Sequence, residues 1–295
     1  MTELATLHVQ RAPLLIDPWL AAGSITLLFG PPSSGKTHLT LTLARALARG
    51  EPLWGIYACT PSRVLIVQAD MNTALYQERA APHAAQLGDT VAVLSTDGLP
   101  FDVCALKAGA GGGDFAPARA FAPDIVFVDT LRKTHSADEN DSAAPDRVYA
   151  AWRTLFPSAA LVFLHHSRKI STQPGSADTV IREAFRGSGA WAASADTLLM
   201  LRRARRANNP DWMTRVYFVR TRSCQEPPSI LLRLTDALCL ESLDESPAEH
   251  GLLAWIAVNP KAKRADAVAW LSKQHLCSAA TAYRLWERVI RGDNG

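Results

Sequence analysis

The 295-residue sequence predicts an α/β fold, a twisted and mostly parallel sheet with helices on both faces, followed by a small C-terminal helical domain. Three observations carry that prediction. From Ala21 to about Leu240, short apolar runs alternate with stretches of helical spacing, as strand–helix–strand units do. Several of the runs are apolar at consecutive positions, the pattern of strands covered on both faces. The first run leads into a glycine-bracketed loop and then an amphipathic stretch, THLTLTLARALA.

Taken in order, the strand candidates are 24–30, 63–70, 91–96, 124–130, 160–167, 196–203 and 214–221. Helices are expected after Gly35, over 74–87 and over 144–155. Residues 108–114 (AGAGGGD) lack side chains with which to build an element and read as a surface loop. The polar stretch 168–190 is long for a loop in a compact domain, and such loops carry function or are disordered. An acidic, proline-containing linker is read at 241–250. The resulting organisation is an N-terminal segment (1–20), a core (21–240), the linker and a helical domain (251–295).

Composition narrows the class. A hydrophobic share of 48% with 20% charged residues is that of a globular chain and not of a disordered or fibrous one. No run of eighteen apolar residues suggests a membrane span, and no basic-then-apolar leader is read at the N-terminus. Five scattered cysteines with no CxxC pair fit a reducing, cytoplasmic setting with mostly buried, inert thiols.

The sharpest signal is GPPSSGKT at 30–37, a full G-x-x-x-x-G-K-[ST] match between strand and helix. Gly30 and Gly35 allow turns that aim the backbone N–H groups of the loop (Pro31, Pro32, Ser33, Ser34 and onward to His38) at phosphates. The helix start adds its dipole. Lys36 supplies a charge to the β/γ oxygens and Thr37 a hydroxyl to Mg²⁺. ATP and Mg²⁺ are therefore the expected ligands. A second buried strand, DIVFVDT, ends in Asp129, which is suited to the Mg²⁺ shell. Asp70 ends the strand after the phosphate-loop helix, where an open sheet collects site residues. His165 and His166 end another strand, placing one ring where it can sense a γ-phosphate.

The order GPPSSGKT, then an acid after the next strand, then VDTLRKTHSADEN, LVFLHHSRK and FRGSGA resembles the RecA-type ATPases, and most closely the RepA-type hexameric plasmid replicative helicases. The resemblance spans roughly residues 14–235. It implies a RecA-like core that hydrolyses ATP as an oligomeric motor on single-stranded DNA in plasmid or replicative unwinding, with Lys36 and Thr37 at phosphate and Mg²⁺ and Asp129 in the Mg²⁺ shell. Asp70 stands where the family commonly has a glutamate. Its carboxylate falls about one methylene short, which implies slow hydrolysis. His166 corresponds to the sensor histidine. Arg186 matches the arginine of the family's R-G-S element, and Arg220 and Arg222 its paired basic residues. Arg186 and Arg222 remain alternatives for the arginine that reaches a neighbour's γ-phosphate. A hexameric ring is implied, and a filament is the other head-to-tail outcome.

Charge is concentrated where nucleic acid is expected. Residues 168–222 carry a local charge of +7 against +3 for the whole chain, an electrostatic footprint for a polyanion. In RecA-like rings the loops after the Asp129 strand and the histidine strand face the channel, here roughly 133–146 and 168–185. The first is acidic overall. The second carries Arg168, Lys169 and Arg182, suited to a DNA backbone. In the tail, two helices joined by HLCS, with Ser278 as an N-cap, suggest a helix-turn-helix presenting Thr281, Arg284 and Arg288 to DNA. A small bundle docking a replication or mobile-element partner is the equal alternative. Trp255, Trp270 and Trp286 read as core. A different functional class also stays open: an ATP-dependent DNA-binding switch or loader that unwinds nothing.

Overall fold

The computed structural model describes residues 12–107, 115–138, 141–167, 189–204 and 212–243, and beyond them 252, 255–256, 259, 263–273, 282–283 and 286. The chain divides into one unit of Met1–Leu53 with Tyr57–Glu241 and a second of Trp54–Ile56 with Ser242–Gly295.

The first unit opens with a hairpin of β1 (Leu14–Ile16) and β2 (Leu20–Ala21). Ile16, Trp19 and Leu20 are buried, so the segment expected to precede the core is packed into it, and the boundary read at residue 20 falls inside β2. Strands of two or three residues are too short to show a period. The large sheet is built from β3 (Ile25–Gly30), β4 (Val64–Gln68), β5 (Val91–Ser95), β6 (Ile125–Asp129), β7 (Ala160–His166), β8 (Thr197–Ala204), β9 (Met213–Thr221), β10 (Ile230–Leu234) and β11 (Leu240–Ser242). Seven of these nine match the runs read from sequence to within two residues at either end. The short β10 and β11 were missed.

Strand order is β11-β10-β9-β8-β3-β7-β6-β4-β5. From β8 to β5 every pairing is parallel, while β8–β9 and β9–β10 are antiparallel. Thus β7 is inserted between β3 and β6, and the strand ends at Gly30, His166, Asp129 and Gln68 stand in one row. Such a row, at the carboxyl ends of parallel strands, is where open α/β sheets bind ligands.

Helices cover the sheet as their spacing demands. α1 (Lys36–Arg49) buries Leu39, Leu43 and Leu47, four residues apart. It stops at Gly50, whose left-handed backbone lets the N–H groups of Gly50 and Glu51 reach Leu47 O and Ala46 O. α2 (Thr73–Leu87) is capped by Asn72, whose Oδ1 accepts from the Ala74 N–H at 2.9 Å. Short α3 (Val103–Lys107) and α4 (Ala116–Ala120) lead to α5 (Ala144–Leu155), and α6 (Ala190–Ala193) precedes β8. α5 lays Val148, Tyr149 and Trp152 onto Phe163 of β7, Tyr149 stacking at 4.9 Å and Trp152 edge-on at 6.0 Å. Full burial of a side chain such as Phe163 stabilises by about 1.5–3 kcal/mol. No helix among the described residues is long and apolar enough to cross a membrane.

In the second unit α7 (Arg264–Lys273) contributes Ala267 and Leu271 to a cluster with Leu252 and Ala282, against which Trp255, Trp270 and Trp286 pack. Trp255 and Trp270 stack at 5.7 Å, the core role expected of them. Ser278, Thr281, Arg284 and Arg288 lie outside the described residues, as do the loop at 108–114 and most of the linker. Among the described cysteines only Cys239 is buried, while Cys59, Cys104 and Cys224 are half-buried. The expectation of mostly buried thiols is corrected accordingly.

Candidate nucleotide site

The loop between β3 and α1 takes its shape from two different requirements on glycine. Gly35 sits at φ +97°, in the left-handed region, and forms the N-cap of α1. Gly30 has no such backbone. A side chain there would collide with the carbonyl oxygen of Leu201 and approach Ser34 Oγ at 2.9 Å. Gly30 is therefore glycine for close packing against β8, not for the turn expected of it. Ser33 supplies a left-handed turn, at φ 60°. Pro32 and Ser33 are exposed, Pro31, Thr37 and His38 partly so, and Ser34, Gly35 and Lys36 are buried.

Lys36 Nζ donates to Gly30 O at 2.9 Å and Pro31 O at 3.0 Å, holding the ammonium at the mouth of the loop. Burial lowers its pKa to about 8, with Asp129 and Asp70 resisting the shift, so it stays largely charged at neutral pH. Thr37 Oγ1 donates to Asp129 Oδ2 at 2.9 Å, joining the helix start to the end of β6 across the intervening β7. Asp129 is almost fully buried. Desolvation pushes its carboxyl up to about 6, although the Thr37 hydrogen bond and Lys36 pull the other way.

Asp70 lies two residues past the end of β4. Its carboxyl is held below the usual range chiefly by His166, whose Nε2 stands 3.8 Å from Oδ1, with Lys133 and Lys36 adding to the effect. At that distance the imidazole acts through charge and dipole and not through a formed hydrogen bond. Because neighbouring strand residues point to opposite faces, His165 and His166 part company. His166 is exposed beside Asp70, whereas burial drives the His165 pKa down to about 4 and leaves it neutral at pH 7. The structure thus brings Lys36, Thr37, Asp129, Asp70 and His166 to one row of strand ends. An ammonium, a hydroxyl and two carboxylates at a helix N-terminus can hold a polyphosphate and a hard cation and orient water between them.

The arginines fall elsewhere. Arg220 pairs with Leu198 and Thr221 with Thr197, whose parallel partner is Thr26 near the start of β3. Arg220 and Arg222 therefore stand at the opposite end of the sheet from their own phosphate loop, about 16 Å away along five residues of strand. Arg220 Nη2 donates to Ala195 O at 2.7 Å and to Ala192 O. Arg222 Nη2 donates to Ala193 O at 2.8 Å, and Nη1 lies 3.4 Å from Asp196 Oδ1. Arg222 is exposed and Arg220 half-buried. Arg186, Arg168, Lys169 and Arg182 lie outside the described residues. In the acidic loop after β6, Lys133 Nζ donates to Gly98 O at 3.2 Å, and Arg147 pairs with Asp141 at 2.6 Å.

Three side chains at this site escaped sequence reading. Tyr76, on α2, is buried with no hydrogen-bond partner for its hydroxyl among the described residues, close enough for Asp129 to help raise its pKa. Trp212 lies against Gly35, and Arg203 lies over Trp212. None belongs to a local motif, and each reaches the loop only through the fold.

Residues 5–172 match the model of a family described as an AAA domain (AAA_25). Among solved structures, the chain is similar to the ATPase domain of a helicase at 14% identity and a TM-score of 0.54, covering 75% of this chain and 85% of that one. It is also similar to the flagellar accessory protein FlaH from Methanocaldococcus jannaschii, at 14% identity and a TM-score of 0.50, over 76% of this chain and 91% of that one. At such identity the likeness is one of fold, and the fold is RecA-like. No curated protein matches the sequence.

Proposed function

The chain belongs to the AAA domain family, and from that premise we propose that its core is an oligomeric, ATP-hydrolysing motor on single-stranded DNA, of the kind that RepA-type replicative helicases are. The observation that carries the reading is the Thr37–Asp129 hydrogen bond beneath the phosphate loop. A hydroxyl and a poorly solvated carboxylate at one point are the hard oxygen donors that Mg²⁺ takes alongside substrate phosphates. They fit the ion. Thr37 and Asp129 would hold it, and bound there it would neutralise charge developing on the phosphate oxygens.

The remaining work falls to the chain itself. The loop N–H groups and Lys36 hold the β- and γ-phosphates and stabilise their charge in the transition state. Asp70 orients the attacking water. With its pKa held down it is a poor proton acceptor, so its part is alignment, and the short side chain makes that alignment imperfect. His166, against Asp70, links the state of the γ-phosphate to the end of β7, from which the chain continues into the basic stretch 168–185. Arg222 lies too far from its own loop to touch its own nucleotide. An arginine there, or Arg186, would serve a neighbouring subunit, and such a residue contributes ~10³–10⁵ in rate. Assembly as a hexameric ring would then gate activity. Arg168, Lys169 and Arg182 are proposed to follow the DNA backbone, and Arg284 and Arg288 to contact DNA or a partner. A cytoplasmic setting, with a role in DNA replication or a mobile element, belongs to the same proposal. The weak alignment at Asp70 favours a second reading, a nucleotide-gated switch or loader that binds DNA without unwinding it.

Steady-state ATP hydrolysis, measured across protein concentration with and without single-stranded DNA, separates the two. A rate per subunit that climbs with concentration and again with DNA is the motor's signature. A low rate indifferent to both sinks the motor and leaves the switch.

A further inference from the structure

The hydrolytic groups all stand on one side of β3, since His166, Asp129 and Asp70 come from β7, β6 and the end of β4. The other side of the loop is walled by β8 and β9. Thr214 Oγ1 donates to Ser34 O at 2.8 Å, and Trp212, immediately before β9, lies against the backbone of Gly35. A Cβ on Gly35 would overlap Trp212 Cη2 and stand 3.1 Å from Cζ3. Arg203 from β8 places its guanidinium carbon 4.1 Å from the centre of the Trp212 ring. The His38 ring approaches edge-on at 6.2 Å, with its Nδ1 buried and lacking a hydrogen-bond partner among the described residues.

A large apolar ring left half-buried at the mouth of a polar loop is not explained by core packing. A nucleoside triphosphate laid along the loop with its γ-phosphate toward Asp129 and Asp70 sends its ribose and base the other way, toward β8 and β9. We propose that Trp212 is the platform on which the nucleobase stacks, with Arg203 on its opposite face, and that this platform makes the site select purine nucleotides. The larger π-face of a purine overlaps an indole better than a pyrimidine does, and a guanidinium on the far face holds the ring in place by its cation–π attraction. Gly35 then has two duties, the left-handed turn and room for the platform. The inference rests on the reading of this loop as a nucleotide site.

Calorimetric titration of the full chain with Mg–ATP, Mg–CTP and Mg–tripolyphosphate tests it, because the last has no base. Trp212→Ala is expected to weaken ATP about ten-fold, to leave tripolyphosphate nearly unchanged and to erase the preference for ATP over CTP. Trp212→Phe, which keeps a ring and the packing on Gly35, is expected to restore most of the ATP affinity. Equal weakening of ATP and tripolyphosphate by Trp212→Ala would mean that the ring only packs the loop, and would overturn the platform. So would unchanged ATP affinity, or a wild-type protein that binds ATP no better than tripolyphosphate. Wild-type protein that binds none of the three would instead remove the nucleotide reading itself, and the platform with it.

Discussion

The two ends of the parallel strands carry polar residues in equal abundance and use them in opposite ways. At the carboxyl ends, Lys36 and Asp129 are buried and both are pushed toward neutrality by desolvation. At the amino ends, charge is committed to the backbone. Asp196 Oδ2 accepts from the Ile25 N–H at 2.8 Å. Arg153 donates to Ala159 O at 2.6 Å and Gly23 O at 2.8 Å, and Arg220 and Arg222 bind the carbonyls at the end of α6 and just beyond it. One end holds its strands together. The other keeps charges poorly solvated and close to one another, a costly arrangement that a polyphosphate and a cation would relieve.

The largest test of that contrast is Lys36→Ala. Its ammonium bonds only loop carbonyls, so the fold should survive while ATP turnover falls by at least ~10²–10³-fold. A variant that is folded by circular dichroism and still turns over would place the chemistry elsewhere. Asp129→Asn should divide function from stability. Unfolded, the carboxyl titrates near 3.8, and folded near 6. The native state therefore binds the proton more tightly, and the wild type loses stability as pH rises from about 4 to about 6. Asparagine can still accept from Thr37 but carries no charge. The variant should lose Mg²⁺-dependent hydrolysis yet gain up to about 3 kcal/mol at pH 8. That gain should vanish below about pH 4. A stability difference that stays flat across this window in urea titrations would mean that the Asp129 charge is well solvated after all.

The contrast also separates what the sequence could reveal from what it could not. The loop, Asp129 and the histidine pair were legible because each is announced locally, by glycine spacing or by a polar residue ending a buried run. α5 was readable to its bounds, since its apolar residues recur at one helical period and pack on one face. Gly30 was read for the wrong reason: its constraint is the Leu201 carbonyl, 171 positions later in the chain. Trp212, Arg203 and Tyr76 carry no periodic signal at all. What places the first two at the loop is the β8–β3 pairing together with the antiparallel return of β9. The hairpin β1–β2 was lost to length, its strands being shorter than any detectable alternation.

The smallest expected effects sharpen the comparison at the amino end, where two arginines two positions apart should behave differently. Arg220 is half-buried and saturates two carbonyls, so Arg220→Ala leaves Ala192 O and Ala195 O without those donors. A loss of about 1–3 kcal/mol in chemical denaturation is expected. Arg222 is exposed, and its contact with Asp196, at 3.4 Å, is a surface pair. Such pairs contribute about 0–1 kcal/mol, so Arg222→Ala should unfold nearly as the wild type does. If Arg222 serves a neighbour's nucleotide, the same variant should lose the rise of ATP turnover with protein concentration while keeping its stability. Equal destabilisation by the two substitutions, with the concentration dependence intact in both, would make Arg222 a strut like Arg220 and leave Arg186 as the residue to test in trans.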